Sequence, residues 1–422
     1  MIKASLLSLV LLSAVSGQAS ATDVRKVIAS PGYKKSIAVL DKEHDRIVAG
    51  IVTLTEIPAP PFKEKERATA YLAMLRASGL TDVEMDEEGN VMGIRRGTGA
   101  PGGPLVAIAA HLDTVFPEGT PIKVRREGTR LLAPGIGDDS RSLAVLLGYV
   151  RAMNAAGVRT RRDILFIGNV GEEGPGDLRG VRYLFTKGRY KDRIKSFFSM
   201  DGTDGSRIVN GGVGSKRYRV TFKGPGGHSY GAFGLVNPMT AMSQAVVDLY
   251  KVEVPKTPKT TFAASVTGGG TSVNSIPDQA YMEFDMRSVS AEELGKLESR
   301  FKQIIASAVA AENGARSTRE GPITADLKVI GDRPAGGTPE NAQIVRIARQ
   351  AVEAQGLKPE LTASSTDSNL PMSLGIPAIT IGSGGSGGRS HSLDEWIDVE
   401  KGASLKGMLP GLAMLLAAAE LQ

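Results

Sequence analysis

The sequence predicts an α/β fold in which a domain with a mainly parallel sheet is interrupted by a smaller inserted α+β domain. Two observations carry this prediction. Short apolar strands alternate with helical patterns over residues 65–213 and again after residue 333, as in a parallel sheet covered on both faces. Between these stretches the predicted order is β-α-β-β-α-β, a unit that closes on itself as one small domain.

Hydrophobic periodicity places the elements of the larger domain. The predicted helices lie near residues 68–75, 143–150, 178–185, 340–355 and 408–419. The predicted strands are residues 105–109, 163–170, 196–200 and 378–381.

The inserted domain is predicted at residues 214–332, between larger-domain segments at residues 22–213 and 333–422. Its predicted elements are strands at 215–223, 261–267, 279–287 and 323–331, and helices at 237–250 and 291–313.

Composition excludes several classes of protein. The 422 residues are 41% hydrophobic and 23% charged, as in folded globular chains. There are no cysteines, which excludes disulfides, thiolate metal sites and cysteine nucleophiles. The net charge of +6 is spread without a basic run, so nucleic acid is not an expected partner.

Residues 1–21 have the order of a secretory signal, with Lys3, the apolar run 6–15 and the small residues before a cut after Ala21. A periplasmic or secreted location is therefore expected. Both this run and residues 408–419 are too short to span a bilayer, so no membrane association is expected after signal cleavage. The second run contains Pro410 and is predicted to be a buried terminal helix.

Five polar motifs follow predicted strands or glycine-rich turns. Each alone has an ordinary explanation, such as a helix cap, a surface histidine or loop glutamates. Ligands bind at the carboxyl ends of the strands in open α/β sheets, so we expect the five to converge at one edge. The motifs are HLD at 111–113, GIGDDSR at 135–141, GNVGEEG at 168–174, MDG at 200–202 and SHSLDEW at 390–396.

Four carboxylates and two histidines at one edge would repel one another unless cations neutralise them. Two zinc ions would be balanced by three carboxylate ligands and a bridging hydroxide, with histidine nitrogens completing each shell. One of the pair Glu172 and Glu173 is then left as a general base. Asp113 can hold the second ring nitrogen of His111.

These motifs resemble the two-zinc metallopeptidases that include peptidase T, carboxypeptidase G and the aminoacylases. The resemblance covers nearly all of the mature chain. HLDT at 111–114 is similar to the family's first ligand motif, GDD at 137–139 to its bridging-aspartate turn, GEEG at 171–174 to its base-and-ligand pair, and HSLDE at 391–395 to its last ligand motif.

The resemblance implies two divalent ions, with Zn²⁺ expected and Co²⁺ or Mn²⁺ as alternatives. The implied ligands are His111, Asp138 and Asp201 for one ion, and Asp138, Glu173 and His391 for the other. It further implies that Glu172 is the general base, that Asp113 orients His111, and that a cis peptide bond joins Asp138 to Asp139. Asp201 stands where some members have glutamate, and Ser140-Arg141 replaces the Lys-Gly of those relatives.

The inserted domain resembles the family's lid, which mediates dimerisation, so a homodimer through this domain is expected. The resemblance implies that His228 reaches the partner's active site, that Asn274 contacts substrate and that Arg287 binds a substrate carboxylate. The alternatives are a turn at Asn274 and a strand-edge charge at Arg287. His44 has no such motif and is predicted to be an exposed helix histidine.

The expected function is zinc-dependent hydrolysis of amide bonds in small peptides, by an exopeptidase similar to peptidase T or a carboxypeptidase. Hydrolysis of N-acyl amino acids is the alternative, so the expected partner is a small peptide or an acylamino acid. A non-catalytic zinc-binding or peptide-binding protein is a third hypothesis. A serine hydrolase is a fourth, because GGSGG at residues 384–388 matches G-x-S-x-G, but the irregular sequence after it disfavours the required helix.

Overall fold

The computed structural model describes residues 23–422. The predicted signal at residues 1–21 lies outside the described residues. The helices are α1 (Val24–Ala29), α2 (Pro31–Thr55), α3 (Lys65–Ala77), α4 (Arg141–Ala155), α5 (Arg179–Thr186), α6 (Pro238–Leu249), α7 (Ala291–Ala315), α8 (Gln343–Glu353), α9 (Asn369–Ser373) and α10 (Lys401–Ala418).

The strands alternate with these helices along the chain. They are β1 (Thr81–Met85), β2 (Val91–Arg95), β3 (Leu105–His111), β4 (Arg125–Glu127), β5 (Arg130–Leu132), β6 (Asp163–Asn169), β7 (Ile194–Met200), β8 (Arg207–Gly212), β9 (Gly214–Lys223), β10 (Gly227–His228), β11 (Thr260–Gly269), β12 (Ser275–Ile276), β13 (Gln279–Ser288), β14 (Thr324–Arg333), β15 (Gly336–Gly337), β16 (Glu360–Ser364), β17 (Ala378–Ile381), β18 (Ser386–Gly388) and β19 (Trp396–Asp398).

The main sheet has the strand order β1-β2-β6-β3-β7-β17-β8-β15, and β16 also pairs with β8. Its centre, β6-β3-β7-β17, is parallel, while the pairs β1-β2 and β2-β6 on one side and β17-β8 and β8-β15 on the other are antiparallel. Alternate residues of β3 point to opposite faces: Val106 and Ile108 contact the core shared with α2, α4 and α10, and Leu105 and Ala107 contact the core shared with α5. Burial on both faces explains why these strands are uninterrupted apolar runs.

Strands β9, β11, β13 and β14 form a separate antiparallel sheet of order β11-β13-β9-β14, with α6 and α7 packed on one face. We call this part of the chain, β9 to β14, the inserted unit. Along β13 every second side chain is buried, and Phe284 stacks on Phe301 of α7 with ring centroids 4.9 Å apart. The predicted fold class and β-α-β-β-α-β order are confirmed, and the exact domain boundaries stay a prediction.

Helix α2 shows that the prediction for His44 is wrong. The helix is 25 residues long, begins after the capping Ser30 and packs against α4. Leu40, His44, Ile47 and Ile51 recur at intervals of three and four residues and form one buried stripe of the helix, where His44 is only 4% exposed. The polar run around His44 belongs to the solvent side of the same helix.

Helix α10 is buried along most of its length, as predicted, with Pro410 inside it. No helix in residues 23–422 combines the length and the apolar character needed to cross a bilayer.

Candidate functional site

The parallel centre of the main sheet positions the first site residues. His111 is the last residue of β3, Asp201 directly follows β7, and Glu172 and Glu173 follow β6 by three and four residues. Strands β6, β3 and β7 are neighbours and run in the same direction, with His111 opposite Asn169 in the register. Their carboxyl ends therefore bring these four side chains to one edge, as the sequence predicted.

Three groups of possible metal ligands lie at this edge, and the ligand atoms of each group lie within 4.8 Å of one another. The groups are Asp138, Glu173 and His391; His111, Asp139 and Asp201; and His111, Glu172 and Glu173. The first is one of the predicted sets. In the second, Asp139 stands where the prediction had Asp138.

Asp138 connects the first two groups through its two carboxylate oxygens. His111 Nε2 lies 2.9 Å from Asp138 Oδ1, and His391 Nε2 lies 3.2 Å from Asp138 Oδ2 and 3.0 Å from Glu173 Oε1. Asp139 Oδ2 accepts a hydrogen bond from the backbone N–H of His111 at 3.0 Å. The carboxylate of Asp139 is therefore already hydrogen-bonded to the backbone of His111.

The turn that carries Asp138 is held by Glu395, whose role the sequence did not reveal although it lies in the last motif. Glu395 Oε1 accepts hydrogen bonds from the N–H groups of Gly137 and Asp138, at 2.7 and 2.9 Å, and Oε2 accepts one from Gly135 at 3.0 Å. Gly135 has a φ of 74°, which favours glycine. The peptide bond between Asp138 and Asp139 is cis, as the resemblance implies.

Asp113 contacts His111 and has further partners that the sequence did not predict. The nearest acceptor to His111 Nδ1 is the backbone carbonyl of Asp113 at 3.1 Å, whereas its carboxylate is 3.6 Å away. The carboxylate also accepts the backbone N–H groups of Glu172 and Glu173, at 3.1 and 2.8 Å, one on each oxygen. Asp113 therefore fixes the glutamate pair, and its backbone orients the histidine.

Glu172 is buried beside Arg333, a residue that the sequence analysis missed. Arg333 Nη1 lies 3.2 Å from Glu172 Oε1, and Nη2 also donates to the backbone carbonyl of Glu172. Arg333 is the last residue of β14, so the inserted unit contacts the candidate base directly. The two residues are 161 positions apart, and no local pattern connects them.

Part of this group of residues lines a cleft of about 510 Å³ between the main sheet and the inserted unit. Its lining includes Asp138, Glu172, Glu173, Asp201 and His391, together with Arg207, Arg217, Arg287 and Arg333. A cavity of similar volume, about 540 Å³, lies beside α6 and α7 and contains none of the candidate ligands. The candidate ligands therefore lie at the first cleft and not at the second.

Comparison with known proteins agrees with this geometry. Residues 107–420 match the model of peptidase family M20/M25/M40. The chain belongs to this family. The predicted resemblance to the two-metal peptidases is thereby confirmed.

A curated relative of this M20 chain is succinyl-diaminopimelate desuccinylase of Burkholderia mallei, 29% identical over 233 residues. The match covers 51% of the chain, and the chain spans only 61% of that relative's length.

Solved structures resemble the M20 chain over most of its length. Aminopeptidase PepT from Bacillus cereus is 21% identical with a TM-score of 0.72, covering 89% of the chain and 99% of that protein. Human carnosine dipeptidase 1 is 14% identical with a TM-score of 0.65, covering 92% and 99%. A dinuclear metal binding M20 peptidase from Bacillus subtilis is 18% identical with a TM-score of 0.65, covering 89% and 99%.

Burial and crowding of acids dominate the electrostatics of the M20 site. Burial, with the neighbouring Asp138, raises the pKa of Asp201 to about 7. Burial also raises the pKa of Glu172, although Arg333 opposes the shift. Burial alone would raise the pKa of Asp138, but hydrogen bonds to His111 and His391 outweigh it and lower the pKa. The same contacts with Asp138 and Glu173 raise the pKa of His391 to about 10.

Of the three predicted substrate-binding residues of the inserted unit, one lies at the cleft and two lie outside it. Arg287 lines the cleft, where its Nε donates to Asp285 at 2.7 Å. His228 and Asn274 are exposed and are not part of the cleft lining in the described chain. They are close to each other, since β10 pairs with β12 and the N–H of Ser229 donates to the carbonyl of Asn274 at 2.9 Å.

His228 has a defined ring tautomer. Its Nδ1 accepts the backbone N–H groups of Tyr230 and Gly231, at 3.2 and 3.4 Å, so in the neutral ring the proton is on Nε2. The residue therefore presents an N–H donor. Whether a donor at this position serves a partner subunit stays a prediction.

The serine-hydrolase alternative has no structural basis. Ser386 begins the short strand β18, which pairs antiparallel with β19. A nucleophile elbow requires a helix directly after the serine. The GGSGG stretch is therefore part of a strand and its loop.

Proposed function

We propose that the chain is a metal-dependent exopeptidase that hydrolyses amide bonds of small peptides. The observation that carries the proposal is the position of Asp138, whose two carboxylate oxygens each lie against a different histidine ring at one sheet edge. A carboxylate that bridges two metal ions needs this arrangement, with one oxygen toward each site.

The donor set fits divalent cations. Under this proposal His111, Asp138 and Asp201 would hold one ion, and Asp138, Glu173 and His391 would hold the other. The donors are imidazole nitrogens and carboxylate oxygens, which suit Zn²⁺, and Co²⁺ or Mn²⁺ are alternatives. The backbone of Asp113 and the carboxylate of Glu395 orient these ligands through the contacts described above, as outer-shell partners do at metal sites.

Bound divalent ions supply Lewis acidity, which polarises an amide carbonyl and makes a nearby water more acidic. Glu172 is not needed as a ligand in this scheme, so its carboxylate takes the proton from the attacking water and passes it to the leaving amine. Arg333 holds this carboxylate toward the cleft. Arg287 binds the free carboxylate of the substrate.

The size of the cleft supports a small substrate. About 510 Å³ lies within the usual range for small-molecule sites and suits a di- or tripeptide. Structural neighbours are an aminopeptidase, a tripeptidase and a dipeptidase by name. Hydrolysis of N-acyl amino acids is the second candidate, and the name of the desuccinylase relative favours it.

We further propose that the inserted unit is a lid that pairs two chains, so that His228 of one chain reaches the site of the other. Its donor Nε2 and its place outside the cleft of its own chain support donation across a dimer. Export to the periplasm or the medium is also proposed, on the signal pattern of residues 1–21 alone.

The test is an activity screen of purified protein loaded with zinc, cobalt or manganese. Dipeptides, tripeptides and N-acetyl amino acids serve as substrates. Glu172→Gln should lower kcat by about 10²–10⁴ with metal content unchanged, because it removes only the proton acceptor. Glu173→Gln should lose metal instead.

Two results would contradict the proposal. One is the absence of hydrolysis of every amide in the screen by metal-loaded wild-type protein. The other is normal turnover by Glu172→Gln, or a loss of metal as large as that of its neighbour, which would overturn the assigned roles.

A further inference from the structure

Four arginines line the same cleft as the carboxylates: Arg207, Arg217, Arg287 and Arg333. Guanidinium groups are planar, remain charged at all physiological pH values and bind carboxylates through paired hydrogen bonds. Four such groups at one cleft exceed what the single carboxylate of a peptide terminus requires. Their partners within the chain decide how much positive charge is left for substrate.

Three of the four have a partner in the chain. Arg333 contacts Glu172. Arg217 Nε donates to Asp285 Oδ1 at 3.0 Å, and Arg287 Nε donates to Asp285 Oδ2 at 2.7 Å, so two guanidinium groups share one carboxylate. Arg217 and Asp285 face each other across β9 and β13.

Arg207 is different. It is the first residue of β8, six positions after Asp201, and its side chain is half-buried at the cleft. Among residues 23–422 its guanidinium has neither an ion-pair partner nor a hydrogen-bond acceptor within the chain; its one charge interaction of note is with Asp201. Under the proposed function, Asp201 is committed to a metal ion, and Arg207 is left with no anion.

The charges of the cleft can therefore be counted. If three ligand carboxylates and one hydroxide balance two divalent ions, as the proposed function requires, Asp285 offsets only one of Arg217 and Arg287. One positive charge is left on that pair and one on Arg207. The two charges come from different walls of the cleft, one from the inserted unit and one from the main sheet.

We propose that the substrate carries two anionic groups, of which one binds Arg287 and the second binds Arg207. The preferred class is an amide of a dicarboxylate, either a peptide ending in an acidic residue or an amino acid acylated by a dicarboxylic acid. In both cases the substrate group that binds Arg207 is a carboxylate. This inference rests on the proposed function, because the charge count assumes that metals occupy the edge.

The kinetic test compares acidic substrates with neutral substrates of the same shape. Ala-Glu is paired with Ala-Gln, which places the second carboxylate on the amine side of the scissile bond. N-succinyl-alanine is paired with N-butyryl-alanine, which places it on the acyl side. Zinc-loaded wild-type protein should prefer the acidic member of at least one pair, and that pair identifies the side that Arg207 serves.

Arg207→Gln should raise KM for the preferred acidic substrate by about 10- to 100-fold, the usual effect of losing a hydrogen bond to a charged group. KM for the neutral partner should change much less, because any effect through Asp201 acts on both substrates alike. Arg207→Lys should recover part of the preference because it restores the charge without the planar fork. The matched control is Arg219→Gln, since Arg219 is on β9 like Arg217 but pairs with Glu283 and stacks over Tyr281 outside the cleft lining.

A binding measurement separates this inference from the proposed function. Calorimetry with zinc-loaded protein compares glutarate with butyrate, and neither contains an amide. Wild-type protein should bind glutarate at least 10-fold more tightly than butyrate, and Arg207→Gln should abolish the difference.

Equal binding of the two acids, or a difference that persists in Arg207→Gln, overturns the second anion site. Equal hydrolysis of acidic and neutral substrates also overturns it and leaves the proposed function intact. Binding of glutarate that depends on Arg207, in a protein that hydrolyses no amide, supports the anion site and contradicts the proposed function.

Discussion

Asp113→Asn tests whether one buried carboxylate sets the position of the glutamate pair. Asp113 is fully buried, and its two oxygens each accept one backbone N–H, from Glu172 at 3.1 Å and from Glu173 at 2.8 Å. Burial acts to raise the pKa of Asp113, but contacts with His111 and the two N–H groups outweigh it and lower the pKa. The carboxylate is therefore charged at neutral pH.

The size of the effect follows from the geometry. Asparagine has one oxygen, so it can keep one of the two N–H bonds, while its amide NH₂ faces the other N–H donor. Losing one hydrogen bond to a charged acceptor costs about 1.5–3 kcal/mol, from a typical unfolding free energy of about 5–15 kcal/mol. Because the displaced backbone carries Glu172 and Glu173, we also expect activity to fall roughly 10- to 100-fold, as for other outer-shell substitutions.

The assay combines urea unfolding at pH 7 with turnover and metal content of the folded variant. Asp163→Asn is the matched control, because Asp163 stands at the opposite end of β6 and accepts the N–H of Gly97 at 2.8 Å. The control should lose some stability and keep its activity. If Asp113→Asn unfolds like wild-type protein, or loses no more activity than Asp163→Asn, the positioning argument is refuted.

Three other predictions concern the metals, the inserted unit and the signal. Dialysis against a chelator should abolish activity, and zinc should restore it with close to two equivalents per chain by elemental analysis; activity with less than one equivalent would contradict this. His228→Ala should lower turnover by roughly 10²–10³ at unchanged zinc content, as for a lost oxyanion donor. Refolding it together with Glu172→Gln should regain partial activity if His228 acts across a dimer, whereas mixed dimers without activity exclude that arrangement. Terminal sequencing of exported protein should begin at Thr22, and a retained signal would refute cleavage after Ala21.

The sequence predicts the fold well where the pattern of hydrophobic residues follows the pattern of buried residues. The central strands are apolar runs because both faces of the sheet are covered, and β13 alternates because only one face of its sheet carries helices. The burial of His44 on helix α2 escaped prediction because the polar side of the helix dominates the local composition around it. Its buried stripe becomes evident only when the partner α4 is known.

The candidate site was predictable to the extent that its residues lie in short motifs at strand ends. His111, Glu172, Glu173 and Asp201 are brought together by parallel neighbouring strands, which the alternation of elements already implies. Arg333 was not predictable, because its contact with Glu172 depends on how the inserted unit returns to the main sheet. Asp113 accepts hydrogen bonds from the glutamate backbone, and Glu395 accepts them from the turn that carries Asp138. The motifs contain these two residues, but no pattern in the sequence indicates the hydrogen bonds.

Burial of the site residues makes it energetically unfavourable for their carboxylates to be charged when no cations are bound. Burial is the largest factor raising the pKa of Glu172, Asp139 and Asp201, and neighbouring acids add to each shift. Imidazoles and backbone N–H groups offset part of this cost, since they lower the pKa of Asp138 and Asp113. Hydrogen bonding thus stabilises the carboxylates that bridge and position, whereas burial keeps the pKa of Asp201 and Glu172 raised, for Glu172 despite its contact with Arg333. Those are the two groups to which the proposed mechanism assigns a cation and a proton.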